Sequence, residues 1–356
     1  MRATCAARRD DAARCVRREQ PSVAVRAAFL AYTPYHLLLA ESLSRQLGLE
    51  PTLLLADESG LVGRVPDLVA QGPFPRVVGL DTIRAQVGGG GRASGPARAA
   101  VYRRNVRRLR RAAREEPWER VFVPNPVRPE SRVAAALAGG RASYVEDGLE
   151  AYIRSRPWSR ATRFVRAASS LLAGVKPLPE TDFVLSMPFD DGYALLPTHL
   201  HLAPGRTPPP IRPVQREAMR AVLSRWVAAC GVDPAPSFAA LVLLDLATAS
   251  ARVRATVQDA ARQAGCTVDE VLVKPHPLDA GAEERLRADG VVVADRFLPS
   301  EVLLPRLRPG GRVFGGASSA LLTTAFLRPD LHIELGPTPR QTELTTLLRA
   351  FGAGAG

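Results

Sequence analysis

Apolar and polar positions fall into blocks that switch between two periods. Residues 22–32 (SVAVRAAFLAY) form a mostly apolar, β-capable run that stops at Thr33-Pro34-Tyr35-His36. Residues 37–48 then carry apolar positions at helical spacing. The alternation continues. Strands are predicted at 51–57, 74–81, 119–125, 142–148 and 181–187, with a loosely helical stretch at 60–71 and a helix at 129–139. Residues 88–99 read as a glycine-rich loop leading into an arginine-rich segment. Strands alternating with helices predict parallel sheets built from βαβ units.

Residues 203–213 (APGRTPPPIRP) break the pattern, with five prolines in eleven positions. Such a stretch continues neither a helix nor a central strand and reads as a linker. A helix is predicted at 214–231, and the alternation then resumes. Strands are expected at 237–247, 269–277, 290–295 and 311–316, with the last at 330–335. Helices are expected at 249–265, 282–290, 298–308 (Ser300 as its N-cap) and 318–327. The division is thus a basic extension at 1–21, an N-terminal domain at 22–202, a linker at 203–213 and a C-terminal domain at 214–350. The extension is charged, has no apolar core and does not read as a secretory signal.

Composition narrows the class. The chain has 356 residues, 46% of them hydrophobic, too many for a disordered chain and enough for two cores. No run approaches the ~20 apolar residues of a membrane span. Its four cysteines form no CxxC pair and read as reduced thiols. The net charge is +13, and all but two (Lys176 and Lys274) of the 48 basic residues are arginine. Codon bias and solubility account for this charge, and so does attraction to anionic partners. Nucleic acid is not expected, because no zinc-finger or RNP-like spacing is present. Arg103, Arg104, Arg107, Arg108, Arg110, Arg111 and Arg114 read as covering most of a helix, with Val106, Leu109, Ala112 and Ala113 as a narrow apolar stripe. That segment is either a solvated face or a docking face for an anionic membrane or acidic polymer.

Ligands of open parallel sheets bind at the carboxyl ends of the strands. Three predicted strand ends carry unusual residues. Glu146-Asp147-Gly148 places two carboxylates after a strand, pointing to opposite sides, with a glycine that permits a sharp turn. One carboxylate can serve as a general base; an acidic turn is also a common scaffold feature. His276 lies between Pro275 and Pro277, after Lys274, so its backbone is restrained and its imidazole can meet a phosphate. Gly315-Gly316-Ala317-Ser318-Ser319 precedes a helix, whose free N–H groups favour an anion. Ser318 and Ser319 are alternatively simple caps. His36, after Thr33 and Pro34, either helps form an acceptor pocket or merely opens its helix. His199 and His201 have no converging ligands.

In this order the motifs resemble those of the bacterial sialyltransferases, most closely the α-2,8-polysialyltransferases and their lipooligosaccharide sialyltransferase relatives. The likeness spans roughly Val23 to Leu335. Glu146-Asp147-Gly148, His276-Pro277 and Ser318-Ser319 match that family's acidic-acidic-Gly, His-Pro and Ser-Ser motifs. The resemblance implies an α/β protein of the GT-B glycosyltransferase type: two Rossmann-like domains with the active site in the cleft between them. It implies a CMP-activated sialic acid or related nonulosonic acid as donor and a glycan acceptor, with no metal or other cofactor. Asp147 or Glu146 would be the base. Lys274, His276, Pro277, Gly316, Ser318 and Ser319 would hold the donor, and Thr33, Pro34, His36 and Gly148 the acceptor. Lys-Pro-His-Pro followed by paired serines also resembles the CDP-glycerol glycerophosphotransferases, although Gly316-Ala317 stands where those carry Asp-Tyr. A non-catalytic chain that binds anionic glycan is the third reading. CMP-sugars are made inside cells, so a cytoplasmic enzyme is expected, resting on the inner membrane face through 103–114.

Overall fold

The computed structural model describes residues 25–82, 95–153, 187–201, 208–244, 250–277, 281–336, 340–352 and 354–355, with isolated positions between them. Among these, two parallel sheets carry the alternation. The first has β1 (Ala27–Ala31), β2 (Thr52–Leu55), β3 (Arg76–Gly79), β4 (Arg120–Val123), β5 (Ala142–Val145), β6 (Asp191–Ala194) and β7 (Ile211–Pro213). Their order is β3-β2-β1-β4-β5-β6-β7. Every residue of β1 is buried, as a strand covered on both faces requires. Phe29 of β1 stacks on Phe122 of β4, with ring centroids 4.0 Å apart.

The second sheet holds β8 (Phe238–Leu243), β9 (Val271–Lys274), β10 (Val292–Val293), β11 (Leu307–Gly315), β12 (His332–Leu335) and β13 (Gly354–Ala355). Its order is β10-β9-β8-β11-β12-β13. In each sheet the strand order reverses at one place, between β1 and β4 and between β8 and β11. Crevices open at such switch points. Pro309 and Gly310 fall where β11 slips register against β8, a bulge that tolerates a proline inside a strand.

Helix α1 (Pro34–Leu47) begins where β1 ends. Thr33 caps it by accepting from the His36 N–H at 3.2 Å, Pro34 occupies the first turn, and Gly48 stops it in the left-handed region. The 60–71 stretch is two short helices, α2 (Leu61–Arg64) and α3 (Asp67–Ala70). Next come α4 (Gly95–Glu115), α5 (Pro129–Leu137), α6 (Arg216–Ala229), α7 (Ser250–Ala264), α8 (Ala282–Ala288), α9 (Ser319–Leu327) and α10 (Gln341–Ala350).

Several elements differ from the sequence-based expectation. Helix α4 starts at Gly95, inside the expected loop. The seven arginines from Arg103 to Arg114 span an arc of about 160° rather than most of the circumference, which leaves room for a wider buried face including Val101 and Asn105. Residues 181–186 of an expected strand lie outside the described residues, as does the 1–21 extension. The sheet instead continues through β6, whose Asp-Gly-Tyr-Ala carries little apolar signal. The proline-rich stretch ends as β7, an edge strand where a missing N–H costs no ladder bond. Ser300 caps nothing. It sits inside a 3₁₀ turn (Ser300–Arg306), and its hydroxyl donates to Glu301 at 3.2 Å. After β12 the chain adds α10 and β13.

Helix α6 joins the halves. Gln46 of α1 holds the chain on its way into α6, donating to the Pro213 carbonyl at 3.1 Å and accepting from the Gln215 N–H at 2.9 Å. Buried Glu41 of α1 then accepts from both sides of the Arg225 guanidinium and, at 2.9 Å, from the Trp226 indole. From the other side of α6, Arg220 donates to the Leu327 carbonyl at the end of α9, at 2.8 Å. Replacing Glu41 by Ala removes the counter-ion of a half-buried guanidinium, leaving it the Asp67 and Leu68 carbonyls, and strands a buried indole N–H. The Glu41→Ala variant is expected to lose about 3–5 kcal/mol of stability, read by urea unfolding.

Candidate active site

Both switch points open on one cavity of about 310 Å³ between the sheets. The first domain lines it with Thr33, Pro34, Tyr35 and His36 from the start of α1, and with Asp147 after β5. The second lines it with Leu243 and Leu244 after β8, with Lys274, Pro275, His276 and Pro277 after β9, and with Ser318, Ser319 and Ala320 at the start of α9. Phe297 through Glu301 complete the wall. Nine expected site residues therefore share one cavity: Thr33, Pro34, His36, Asp147, Lys274, His276, Pro277, Ser318 and Ser319. Glu146, Gly148 and Gly316 are not on its wall.

The two adjacent carboxylates have different surroundings. Asp147 is held on both oxygens: Oδ1 lies 2.7 Å from His36 Nε2, and Oδ2 accepts from Asn125 Nδ2 at 2.5 Å. His36 Nδ1 accepts from the Tyr32 N–H at 3.3 Å, so its proton belongs on Nε2, directed at Asp147. With both nitrogens engaged, His36 orients the carboxylate. Each Asp147 oxygen keeps a lone pair for a hydroxyl in the cavity.

Glu146 points the other way, as the alternation of an extended chain requires. It is fully buried. Its carboxyl meets the hydroxyls of Tyr35 and Tyr152 and accepts from the Leu195 N–H at 2.7 Å. Burial pushes its pKa up to about 8, against hydrogen bonds from Tyr152 and Leu195 that pull it down. Glu146 thus ties β5 to the cavity floor instead of facing a substrate.

Gly148 is where the domains cross. Its φ is +67°, and a Cβ there would lie 2.2 Å from Ser319 Oγ. A side chain is excluded by both conformation and space. The next residue, Leu149, donates its N–H to Ser319 Oγ at 3.0 Å. Ser318 is the N-cap of α9, accepting from the Ala320 N–H at 3.2 Å. Each serine hydroxyl uses a lone pair in these bonds and keeps its own proton to donate into the cavity.

Lys274 is buried, and its ammonium donates to the carbonyls of Pro275 and Arg296 at 2.8 and 2.7 Å. Burial pulls its pKa down to about 8, opposed by Asp295, Glu301 and Glu283. Buried Glu301, on the same wall, is pushed up by desolvation. Sequence reasoning missed Glu301, which looked like an ordinary acidic residue in a first helical turn. It also missed Asn125, Tyr35 and Tyr152. Asn125 had a usable signal, a polar side chain just past an apolar strand. Among the described residues no cluster of three His, Cys, Asp or Glu is arranged to hold a metal, and no helix is long and apolar enough to cross a membrane.

No protein-family model matches the sequence, and no curated protein does. Solved structures do. The α/β-galactoside α-2,3-sialyltransferase of the luminous marine bacterium Photobacterium phosphoreum matches over 92% of this chain and 96% of its own, at 10% identity and a TM-score of 0.50. Arabidopsis thaliana UGT89C1 complexed with UDP-L-rhamnose matches over 93% and 85%, at 13% identity and a TM-score of 0.50. The chain has the GT-B fold. A UDP-GlcNAc 2-epimerase from Neisseria meningitidis, bound to UDP-GlcNAc, matches over 90% and 84%, at 10% identity and a TM-score of 0.47. At such identities the likeness is one of fold alone.

Glu146 makes stability depend on pH. Its folded pKa of about 8 lies above its ordinary 4.5. Between those values the folded chain keeps a proton that the unfolded chain has released. The contribution is full below about pH 4.5 and is lost as pH rises through about 8. The Glu146→Gln variant is neutral at every pH. Relative to it, the unmodified chain is expected to lose stability from pH 5 to 8, measured by denaturant unfolding at each pH.

Proposed function

We propose that the chain is an inverting, metal-independent glycosyltransferase that moves sialic acid, or a related nonulosonic acid, from a CMP-activated donor to a glycan acceptor of the cell surface or capsule. The observation that carries this reading is the meeting of Asp147 from one domain with Lys274, His276, Ser318 and Ser319 from the other around one cavity. A CMP-sugar presents a single phosphate. One ammonium, one imidazole, two hydroxyls and a helix N-terminus match its charge.

In this reading the acceptor hydroxyl gives its proton to Asp147 as its oxygen attacks the anomeric carbon. The bond from that carbon to the phosphate oxygen breaks, and its electron pair leaves with CMP from the opposite face. Configuration therefore inverts. His276 donates to the departing phosphate, joined by the protons left on Ser318 and Ser319. Lys274 has used two of its three protons on carbonyls and offers the third. Glu301 offers a carboxylate to hydroxyls of the donor. His36 and Asn125 keep Asp147 aimed. The reaction belongs in the cytoplasm, where CMP-sugars are made.

The test is nucleotide release and transfer by purified protein offered CMP-N-acetylneuraminic acid, CDP-glycerol or a UDP-sugar, with and without EDTA. CMP release from the first, unaffected by EDTA, is expected. Asp147→Asn and His276→Ala should each cost on the order of 10²–10⁴ in rate, and Glu146→Gln far less. Release from CDP-glycerol alone would move the chain to polyol-phosphate transfer. Full activity in Asp147→Asn would refute the assignment of the base.

Lys274 adds a pH dependence. Its charge is present below about pH 8 and lost above it. The donor kcat/KM, which reports the free enzyme, is expected to fall as pH rises through about 8. Lys274→Met should lower kcat/KM and abolish that limb.

A further inference from the structure

The seven arginines of α4 from Arg103 to Arg114 divide into two sets. Arg104 and Arg108 both pair with Asp81, at 2.5 and 2.7 Å, and Arg108 also donates to the Gly79 carbonyl. They hold the helix to the end of β3. The other five, Arg103, Arg107, Arg110, Arg111 and Arg114, are all exposed. At 100° per residue they fall within an arc of about 100°, on the side away from buried Leu109 and Ala112. Arg107, Arg110 and Arg114 have no carboxylate partner among the described residues. The tight arc, which the helical register imposes on a run otherwise readable as scattered charge, forms a continuous cationic ridge.

A second feature lies beside it. Phe164 and Leu171 are 75% and 65% exposed, the most exposed large hydrophobic residues among those described. Each is helical in its own backbone conformation. The chain around them is fastened to the α4–α5 layer. Arg132 of α5 donates to the buried Ser170 hydroxyl at 2.7 Å, and the Arg110 guanidinium lies 3.9 Å from where a Cβ on Gly174 would stand.

We propose that this face, the outer ridge of α4 together with Phe164 and Leu171, docks the protein on a bilayer of anionic phospholipid. The arginines neutralise head-group phosphates while the two apolar side chains enter the head-group–acyl boundary, the division of labour of an interfacial element. An acidic polysaccharide would satisfy the arginines but offers no apolar depth to Phe164 and Leu171. The face is distinct from the cavity walls, so the proposal does not rest on the function argued above.

The test is co-sedimentation of the full chain with vesicles of phosphatidylcholine alone or with 30% phosphatidylglycerol. Binding is expected only to the anionic vesicles. R107Q/R110Q/R114Q should weaken it about 100-fold, at roughly fivefold per arginine. F164S/L171S should weaken it as well, while both variants keep the parent's circular dichroism and melting temperature. Equal binding to neutral vesicles, or binding unchanged in either variant, would overturn the proposal. So would no vesicle binding at all, and retention on an acidic polysaccharide resin in that case would assign the face to a polymer.

Discussion

Beneath the cleft, the Glu41 carboxylate collects donors from Arg225 and from the Trp226 indole while remaining almost wholly out of solvent. Neither sheet depends on this bond for its own hydrogen bonding. Their mutual orientation does, because α6 is the element that packs on α1 from one side and on the Ser300–Arg306 turn and α9 from the other. A buried ion pair satisfied on all sides adds little net stability, but it tolerates no partial removal. Its value here is geometric: it makes the carboxyl ends of two parallel sheets face one another.

Once the sheets face, a second crossing sets their separation. Gly148 meets Ser319 with no room for a side chain, and the Leu149 N–H reaches the Ser319 hydroxyl. One serine thus touches the loop after β5 and also lines the cavity. A ligand accepting from that hydroxyl polarises it and strengthens its acceptance from Leu149.

The chain's positive charge serves more than one end. Arg328 donates to the Leu304 carbonyl and pairs with Asp330, and Arg120 reaches Ser143 and Asp191 beneath the first sheet. These arginines stitch loops and strands together with forked donors that lysine lacks. The cavity instead holds one of the two lysines, Lys274, where burial makes the ammonium titratable near neutrality.

The sequence by itself determined most element types, the parallel alternation and nine residues of the cavity wall. Thr33-Pro34 after an apolar run, His276 between prolines and Ser318-Ser319 before a helix are local patterns, and strand ends of parallel sheets converge. It did not reveal β6, whose Asp-Gly-Tyr-Ala carries little apolar signal, or β7 inside the proline-rich stretch, because an edge strand draws its stability from its neighbour rather than from its composition. It favoured Asp147 over Glu146 only slightly. Tertiary structure gives them different surroundings: two tyrosines and a backbone N–H close over Glu146, while His36 and Asn125 hold Asp147 at the cavity. Those partners lie 6 to 111 positions away along the chain, and a residue's environment at that range is a property of packing, which no local pattern encodes.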